Sequence, residues 1–383
     1  MSERIYLDWN ATTPLRPEAR QAMALAWDLP GNPSSVHAEG RQARRLVEDA
    51  RAAIAEAVGA QARGVVFTAS GTEANALALT PGLRRRGAMV ERLVVSAIEH
   101  ASVLGGGRFP GGEITKIPVT RSGVVDLHGL EALLLSAAPA LVSIMAANNE
   151  TGALQPVREA GEIVHRAGGL LHVDAVQVLG KIPFNINELG ADLVTLSAHK
   201  IGGPKGVGAL VLADGTDGLD PLPRGGGQEL GRRAGTENVA GIAGFAAALR
   251  AAIATREPDA ARLETLRKRL EAGLKEVPGT MVFSEEVPRL PNTTLFTAAG
   301  LRAETAVIGF DLAGIAVSSG SACSSGKVQP SHVLEAMGFG ANLAQGAVRL
   351  SLGWSTSEAD IESCLMAWRK LANTLLKGQR NTA

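Results

Sequence analysis

The chain has 383 residues, 45% of them hydrophobic and 20% charged, with 38 Lys+Arg balanced against 38 Asp+Glu. This composition excludes a disordered chain, and zero net charge without a basic stripe excludes an electrostatic nucleic-acid binder. Two cysteines exclude a disulfide framework and imply a reducing, cytoplasmic setting. The amino terminus lacks the apolar core of a signal peptide. No apolar run approaches the roughly 18 residues of a membrane span. The triplet Arg84-Arg85-Arg86 reads as a solvated loop.

Short apolar, β-branched runs alternate with helix-like stretches through the first two thirds of the chain. Strands are expected over residues 64–68, 92–97, 140–146, 170–174, 192–197 and 208–212, and helices over 40–58 and 156–167. Alternation with short connections predicts an α/β fold with a mostly parallel central sheet covered by helices on both faces. From about Ala240 the pattern changes: long helices over 241–257 and 260–277, strands over 281–284, 293–297 and 316–318, a Gly/Ser loop, and a last helix over 357–376. The expectation is a large domain over 14–255 and a smaller C-terminal α+β domain over 256–383, joined by an N-terminal segment, 1–13.

In an open α/β sheet, ligands bind beyond the carboxyl ends of the strands. Glu99-His100, Asn148-Asn149, Asp174 and Lys200 all fall there. Lys200 ends an apolar run and opens the turn Ile201-Gly202-Gly203-Pro204-Lys205-Gly206, whose glycines let backbone approach a ligand. Asp174 ends Leu170-Leu171-His172-Val173-Asp174. A lysine and an aspartate on neighbouring strand ends meet the needs of pyridoxal phosphate: the lysine forms the Schiff base, and the carboxylate keeps the pyridine nitrogen protonated. The alternatives are a strand-capping surface lysine and an aspartate in a salt bridge, since a buried unpaired carboxylate is costly. Gln177 can donate to a ring oxygen, and His172 either helps position the cofactor or is a satisfied core histidine.

A phosphate needs donors. The run Phe67-Thr68-Ala69-Ser70-Gly71-Thr72-Glu73-Ala74-Asn75 passes from a strand into a helix, offering backbone N–H groups and the Thr72 hydroxyl. The alternative is an ordinary helix cap at Thr72. Ser197 and His199 add donors beside Lys200. His100 can stack on a ring and carry a proton. His37, His128, His165 and His332 carry no such reading, and no spacing of His, Cys and carboxylates forms a metal site. Cys323 lies in Ser319-Gly320-Ser321-Ala322-Cys323-Ser324-Ser325-Gly326, an exposed-looking loop, and reads as a reactive thiol. Cys364 lies mid-helix and reads as core. Arg349, in a strand-like run, can clamp a carboxylate through both arms of its fork or serve a structural ion pair.

Together these segments resemble a known family. Leu7-Asp8-Trp9-Asn10-Ala11-Thr12-Thr13-Pro14, Asn32-Pro33-Ser34-Ser35-Val36-His37, Asn148-Asn149-Glu150-Thr151-Gly152, His172-Val173-Asp174-Ala175-Val176-Gln177, 197–206, Gly225-Gly226-Gly227-Gln228-Glu229, 232–238 and 319–326 are similar to cysteine desulfurases of the NifS/IscS type. The similarity runs from about residue 5 to 355. Ala69 and Ala234 depart from it, each where the family usually has serine.

The resemblance implies a fold-type I, pyridoxal-phosphate-dependent transferase acting as a homodimer. It implies Lys200 as the Schiff-base lysine, His100 stacked on the ring, Asp174 on the ring nitrogen, and Asn149 and Gln177 near the substrate and ring oxygen. Gly71, Thr72, Ser197 and His199 would hold the phosphate, with Thr236 supplied by the partner subunit. Arg349 would bind the substrate carboxylate, with Asn149 and Asn10 beside it. Cys323 would take sulfur from L-cysteine as a persulfide, leave L-alanine, and pass the sulfur, through a transient contact, to an acceptor or Fe–S scaffold protein. The rivals are a selenocysteine lyase or other β-eliminating enzyme with the same cofactor, and a non-catalytic sulfur-transfer platform.

Overall fold

The computed structural model of the chain describes residues 4–85, 87–110, 114–135, 138–320 and 329–376. A seven-stranded sheet runs in the spatial order Val65–Thr68, Gly208–Leu212, Leu193–Ser197, Leu170–Asp174, Ala140–Met145, Arg92–Ser96, Ile114–Ile117. Gly208–Leu212 is antiparallel to both neighbours, and the remaining pairings are parallel. The expected strands are all present within a residue or two of their bounds. Ile114–Ile117 was not foreseen: it is an edge strand with Lys116 exposed, so it lacks the continuous apolar run of its neighbours.

Successive side chains of a strand point to opposite faces. Val65, Phe67, Val142, Val173 and Val194 enter one core, beneath helices Ala38–Val58, Val157–Arg166 and Val239–Ala254. Val66, Leu93, Leu141, Leu170 and Leu193 enter the other, beneath Gly71–Ala78. Burial on both faces is why these strands read as unbroken apolar runs.

The second face changes character along the strands. Leu141, Leu170 and Leu193 give way to Ser143, His172 and Thr195, which are buried and bonded in a row: Ser143 Oγ to His172 Nδ1 at 2.8 Å, His172 Nε2 to Thr195 Oγ1 at 2.9 Å. The next residues on this face, toward the carboxyl ends, are Asp174 and Ser197. His172 is thus a satisfied core histidine, and burial pushes its pKa down to about 4 against a smaller pull upward from Asp174.

A four-stranded antiparallel sheet, Thr280–Val282, Thr293–Ala298, Val348–Ser351, Ser318–Ser319, stands beside the first. Helices Arg256–Lys275 and Glu358–Leu375 pack on it through Leu266, Leu270, Phe296, Trp368 and Cys364. Cys364 is fully buried, and desolvation pushes its thiol up to about 12. Val239–Ala254 and Arg256–Lys275 meet at a bend of 69°, and no single helix among the described residues is long and apolar enough to cross a membrane. The N-terminal stretch is tied to the smaller domain. Ile5–Tyr6 pairs with Ile315–Ala316 and Asp8 bridges to Ser351, after which the chain crosses over Lys200.

The arginine triplet is not simply solvated. Arg84–Arg85 forms a short hairpin strand with Ala88–Met89, and Arg85 makes an ion pair with the fully buried Asp192. Arg86 lies outside the described residues.

Candidate active site

Strand Leu193–Ser197 runs into a tight turn, Ala198–Lys200, and the chain then reverses at Gly202 with φ +86°. A side chain there would be strained, and its Cβ would lie 2.6 Å from both Arg16 Cγ and Trp354 Cη2. Lys200 Nζ donates to Asn10 O at 2.6 Å and Ala11 O at 2.9 Å, beneath the N-terminal stretch. Gly208 is equally constrained: a Cβ would sit 2.5 Å from the Ser70 carbonyl carbon. Its absence lets the antiparallel strand bring Ser70-Gly71 against Ser197.

Lys200 and Asp174 open onto one cavity of about 270 Å³. Asn10, Gly71, Thr72, His100, Asn149, Gln177, Ser197, His199 and Arg349 line it as well, so the fold gathers nearly every residue singled out from the sequence. Thr236 does not line it and is exposed on the surface. Cys323 lies outside the described residues.

Asp174 is held by neutral donors. Its Oδ2 accepts from Asn75 Nδ2 at 2.9 Å and its Oδ1 from the Val176 N–H at 3.0 Å. No cation pairs with it among the described residues, which removes the structural salt bridge as an explanation of this carboxylate. Asn75 Nδ2 also donates to Ser102 Oγ at 2.8 Å, and Ser102 Oγ bonds His100 Nδ1 at 2.7 Å. The His100 ring and the Asp174 carboxylate, which both line the cavity, are therefore tied to one amide.

Below them, Glu99 is fully buried, bonded to Ser96 Oγ at 2.5 Å and the Met145 N–H at 2.7 Å. Desolvation raises its pKa to about 8, the two hydrogen bonds opposing and the Asp174 charge adding. At neutral pH it is mainly a neutral acid.

The start of helix Gly71–Ala78 also lines the cavity. Its cap is Ser70, whose side chain accepts from the Glu73 N–H at 3.1 Å. Thr72 is therefore not the cap; it sits inside the first turn and faces the cavity. Ser197 Oγ is buried there with no hydrogen-bond partner among the described residues. Leaving a buried hydroxyl unpaired costs about 1–3 kcal/mol, a cost that a ligand oxygen at this helix start removes. His199 bonds Thr12 Oγ1 through Nδ1 at 3.2 Å, and burial, then Lys200 and Lys205, push it down to about 4. It is a neutral imidazole.

Arg349 Nη2 meets Asp8 Oδ1 at 2.8 Å and its Nη1 donates to Asn149 O at 3.0 Å, while Nε is buried without a partner. The structural ion pair is thus present, and the guanidinium still faces the cavity. Sequence reasoning gave no role to Asn75 or Lys181, and it marked Glu99 only by its place at a strand end. Asn75 carried one signal: asparagine is a poor helix-interior residue, yet it occupies that position here.

A mostly parallel sheet of this order, with a lysine, an aspartate and an anion-binding helix start around one cavity at its strand ends, defines the fold-type I class of pyridoxal-phosphate-dependent transferases. The chain belongs to the aminotransferase class-V family, which residues 5–364 match. It is 40% identical over 380 residues to a protein named cysteine desulfurase IscS from Dictyoglomus turgidum, covering 98% of this chain and 96% of that one. It is 45% identical over 370 residues to a cysteine desulfurase from Cereibacter sphaeroides, covering 95% and 94%. The solved structure of a NifS-like protein from Rickettsia africae superposes with a TM-score of 0.88 at 38% identity, covering 97% of this chain and all of that one.

Proposed function

We propose that this chain is a cysteine desulfurase that uses pyridoxal phosphate to remove sulfur from L-cysteine, giving L-alanine and a persulfide on Cys323. The observation that carries the reading is one cavity lined by Lys200, Asp174 and, beside a helix start, a buried Ser197 hydroxyl without a partner among the described residues. That donor set fits an aldehyde, a ring nitrogen and a phosphate. Membership of the family and full-length similarity to proteins named cysteine desulfurase support it.

Bound pyridoxal phosphate supplies an electron sink for the bonds at the substrate's α and β carbons. The chain's own residues do the rest. Lys200 Nζ, which rests on the carbonyls of Asn10 and Ala11, would hold the cofactor and carry the substrate's α-proton. Asp174, oriented by Asn75 and the Val176 N–H, would accept from the ring nitrogen. His100 would lie against the ring, and Gln177 would donate to its oxygen. Ser197, His199, Thr72 and the Gly71 N–H would bind the phosphate. Arg349 takes the substrate carboxylate in its fork, with Asn149 and Asn10 alongside.

Sulfur transfer balances on Cys323. Its thiolate forms an S–S bond to the substrate sulfur, the Cβ–S bond breaks, and Cβ keeps the electron pair and gains a proton to give alanine. A sulfur-acceptor or Fe–S scaffold protein then takes the outer sulfur. In a homodimer, the exposed Thr236 is assigned to the partner's phosphate site.

The test is stoichiometry. The chain supplied with pyridoxal phosphate, L-cysteine and a thiol reductant should release alanine and sulfide in equal amounts. Release of pyruvate and ammonia in place of alanine would assign it to simple β-elimination.

A further inference from the structure

Lys181 has no role in the function proposed above, yet it is built into the same site. Its Nζ donates to Gln177 Oε1 at 3.0 Å and to Asn10 Oδ1 at 3.1 Å. At the far end of the Gln177 amide, Nε2 donates to Asn10 O at 3.2 Å, the carbonyl oxygen that also receives Lys200 Nζ at 2.6 Å. Asn10 cannot turn away, because Asn292 Nδ2 shares its Oδ1 at 3.1 Å and Thr293 Oγ1 takes its Nδ2 at 2.8 Å. Two lysine amines thus bracket one asparagine, one on its side chain and one on its backbone.

An ammonium offers only donors, and an amide has one acceptor end. With Oε1 committed to Lys181, the NH2 end of Gln177 must face Lys200. We propose that Lys181 is a positioning residue of this site: it fixes the orientation of the Gln177 amide and sets a second positive charge beside the Lys200 amine. The inference rests on the functional reading above.

Charged groups surround Lys181. Lys200 and Arg349 face it, the latter paired with Asp8. Arg16, Arg256 and Asp259 line an adjoining cavity of about 60 Å³ that also touches Lys200. No carboxylate pairs with Lys181 among the described residues. Burial, then Lys200 and Arg349, hold it down to about 7. Repulsion is reciprocal, so Lys200 Nζ holds its own proton less tightly for the presence of Lys181.

The experiment is a pH titration of the visible absorbance of the cofactor-loaded chain, with borohydride trapping and peptide mapping to locate the pyridoxyl group. Lys181→Met should load cofactor on Lys200 and move the absorbance midpoint up by about one pH unit. Lys181→Arg should restore the wild-type midpoint. Lys181→Gln, which keeps hydrogen-bonding capacity without charge, should shift upward as well and serves if the Met variant fails to fold. Gln177→Leu should move the midpoint less in the Met background than in the wild type, because its amide is already unoriented there. An unmoved midpoint in Lys181→Met or Lys181→Gln with the pyridoxyl group on Lys200 overturns this inference alone. A wild-type chain trapped on another lysine, or on none, overturns the functional reading and this inference with it.

Discussion

Asn75 Nδ2 donates to Asp174 Oδ2 at 2.9 Å, so a helix-borne amide from one side of the cavity floor holds the carboxylate at a strand end. Two neutral donors orient Asp174 without competing with a ring N–H as a fixed cation would. Asp174→Asn should lower kcat/KM at least about 100-fold, the scale of losing one preorganised electrostatic contact. Asn75→Ala should cost about 10-fold, in line with about 1.5 kcal/mol for a hydrogen bond to a charged group. Steady-state kinetics on L-cysteine measure both, and undiminished turnover in Asp174→Asn would falsify the ring-nitrogen assignment.

Arg349 enters the cavity with one arm on Asp8 and one on Asn149 O. Lysine cannot reproduce a planar fork. Arg349→Lys should therefore raise KM for L-cysteine about tenfold or more while changing kcat less. An unchanged KM removes Arg349 from carboxylate recognition.

Lys200 and Cys323 separate the two halves of the proposed chemistry. Lys200→Ala should lose the visible absorbance of the linked cofactor. Cys323→Ala should keep that absorbance, respond spectrally to L-cysteine, and release almost no sulfide. Sulfide release at the wild-type rate by Cys323→Ala would leave the thiol without a part in sulfur transfer.

Glu99 sets a pH dependence of stability. Its folded pKa, about 8, stands above its ordinary 4.5 because burial disfavours the carboxylate. A raised folded value means the stabilisation is full below about pH 4.5 and is lost as pH climbs through 8. Glu99→Gln should flatten this part of the stability profile, losing less between pH 5 and 8 than the wild type does. Thermal melts across that range decide it; parallel profiles for the two proteins would mean that Glu99 is already ionised in the folded chain.

The parts of the fold legible in the sequence are those whose physics is local. Leu170–Asp174 and Leu193–Ser197 read as strands because both faces are buried and most of their residues are apolar, and a charge at or just past the end of such a run, as at Asp174 and Lys200, marks the strand's functional end. Ile114–Ile117 escaped notice because an edge strand covers only part of its surface. The triplet at 84–86 misled because the partner of Arg85, Asp192, is remote in sequence and reached only through folding. A cap at Thr72 stood as the alternative to an anion site because a hydroxyl anywhere in the first turn resembles one, while backbone geometry assigns that place to Ser70. Lys181 was invisible for a similar reason: a lysine in a turn usually faces solvent, and here tertiary packing supplies two side-chain acceptors, Gln177 Oε1 and Asn10 Oδ1.

The stretch around Asn10 touches Asn149, Gln177, Lys181, Lys200, Asn292, Thr293 and Ser351. These contacts span some 340 positions along the chain. A nascent polypeptide emerging from the ribosome has Lys200 and Asp174 long before it has Thr293 or Ser351. The pocket then lacks the bonds from Asn292, Thr293 and Ser351 that hold Asn10 in place. Loop closure over such separations comes late, so the Asn10 wall of the site is completed only after the last third of the chain has been made.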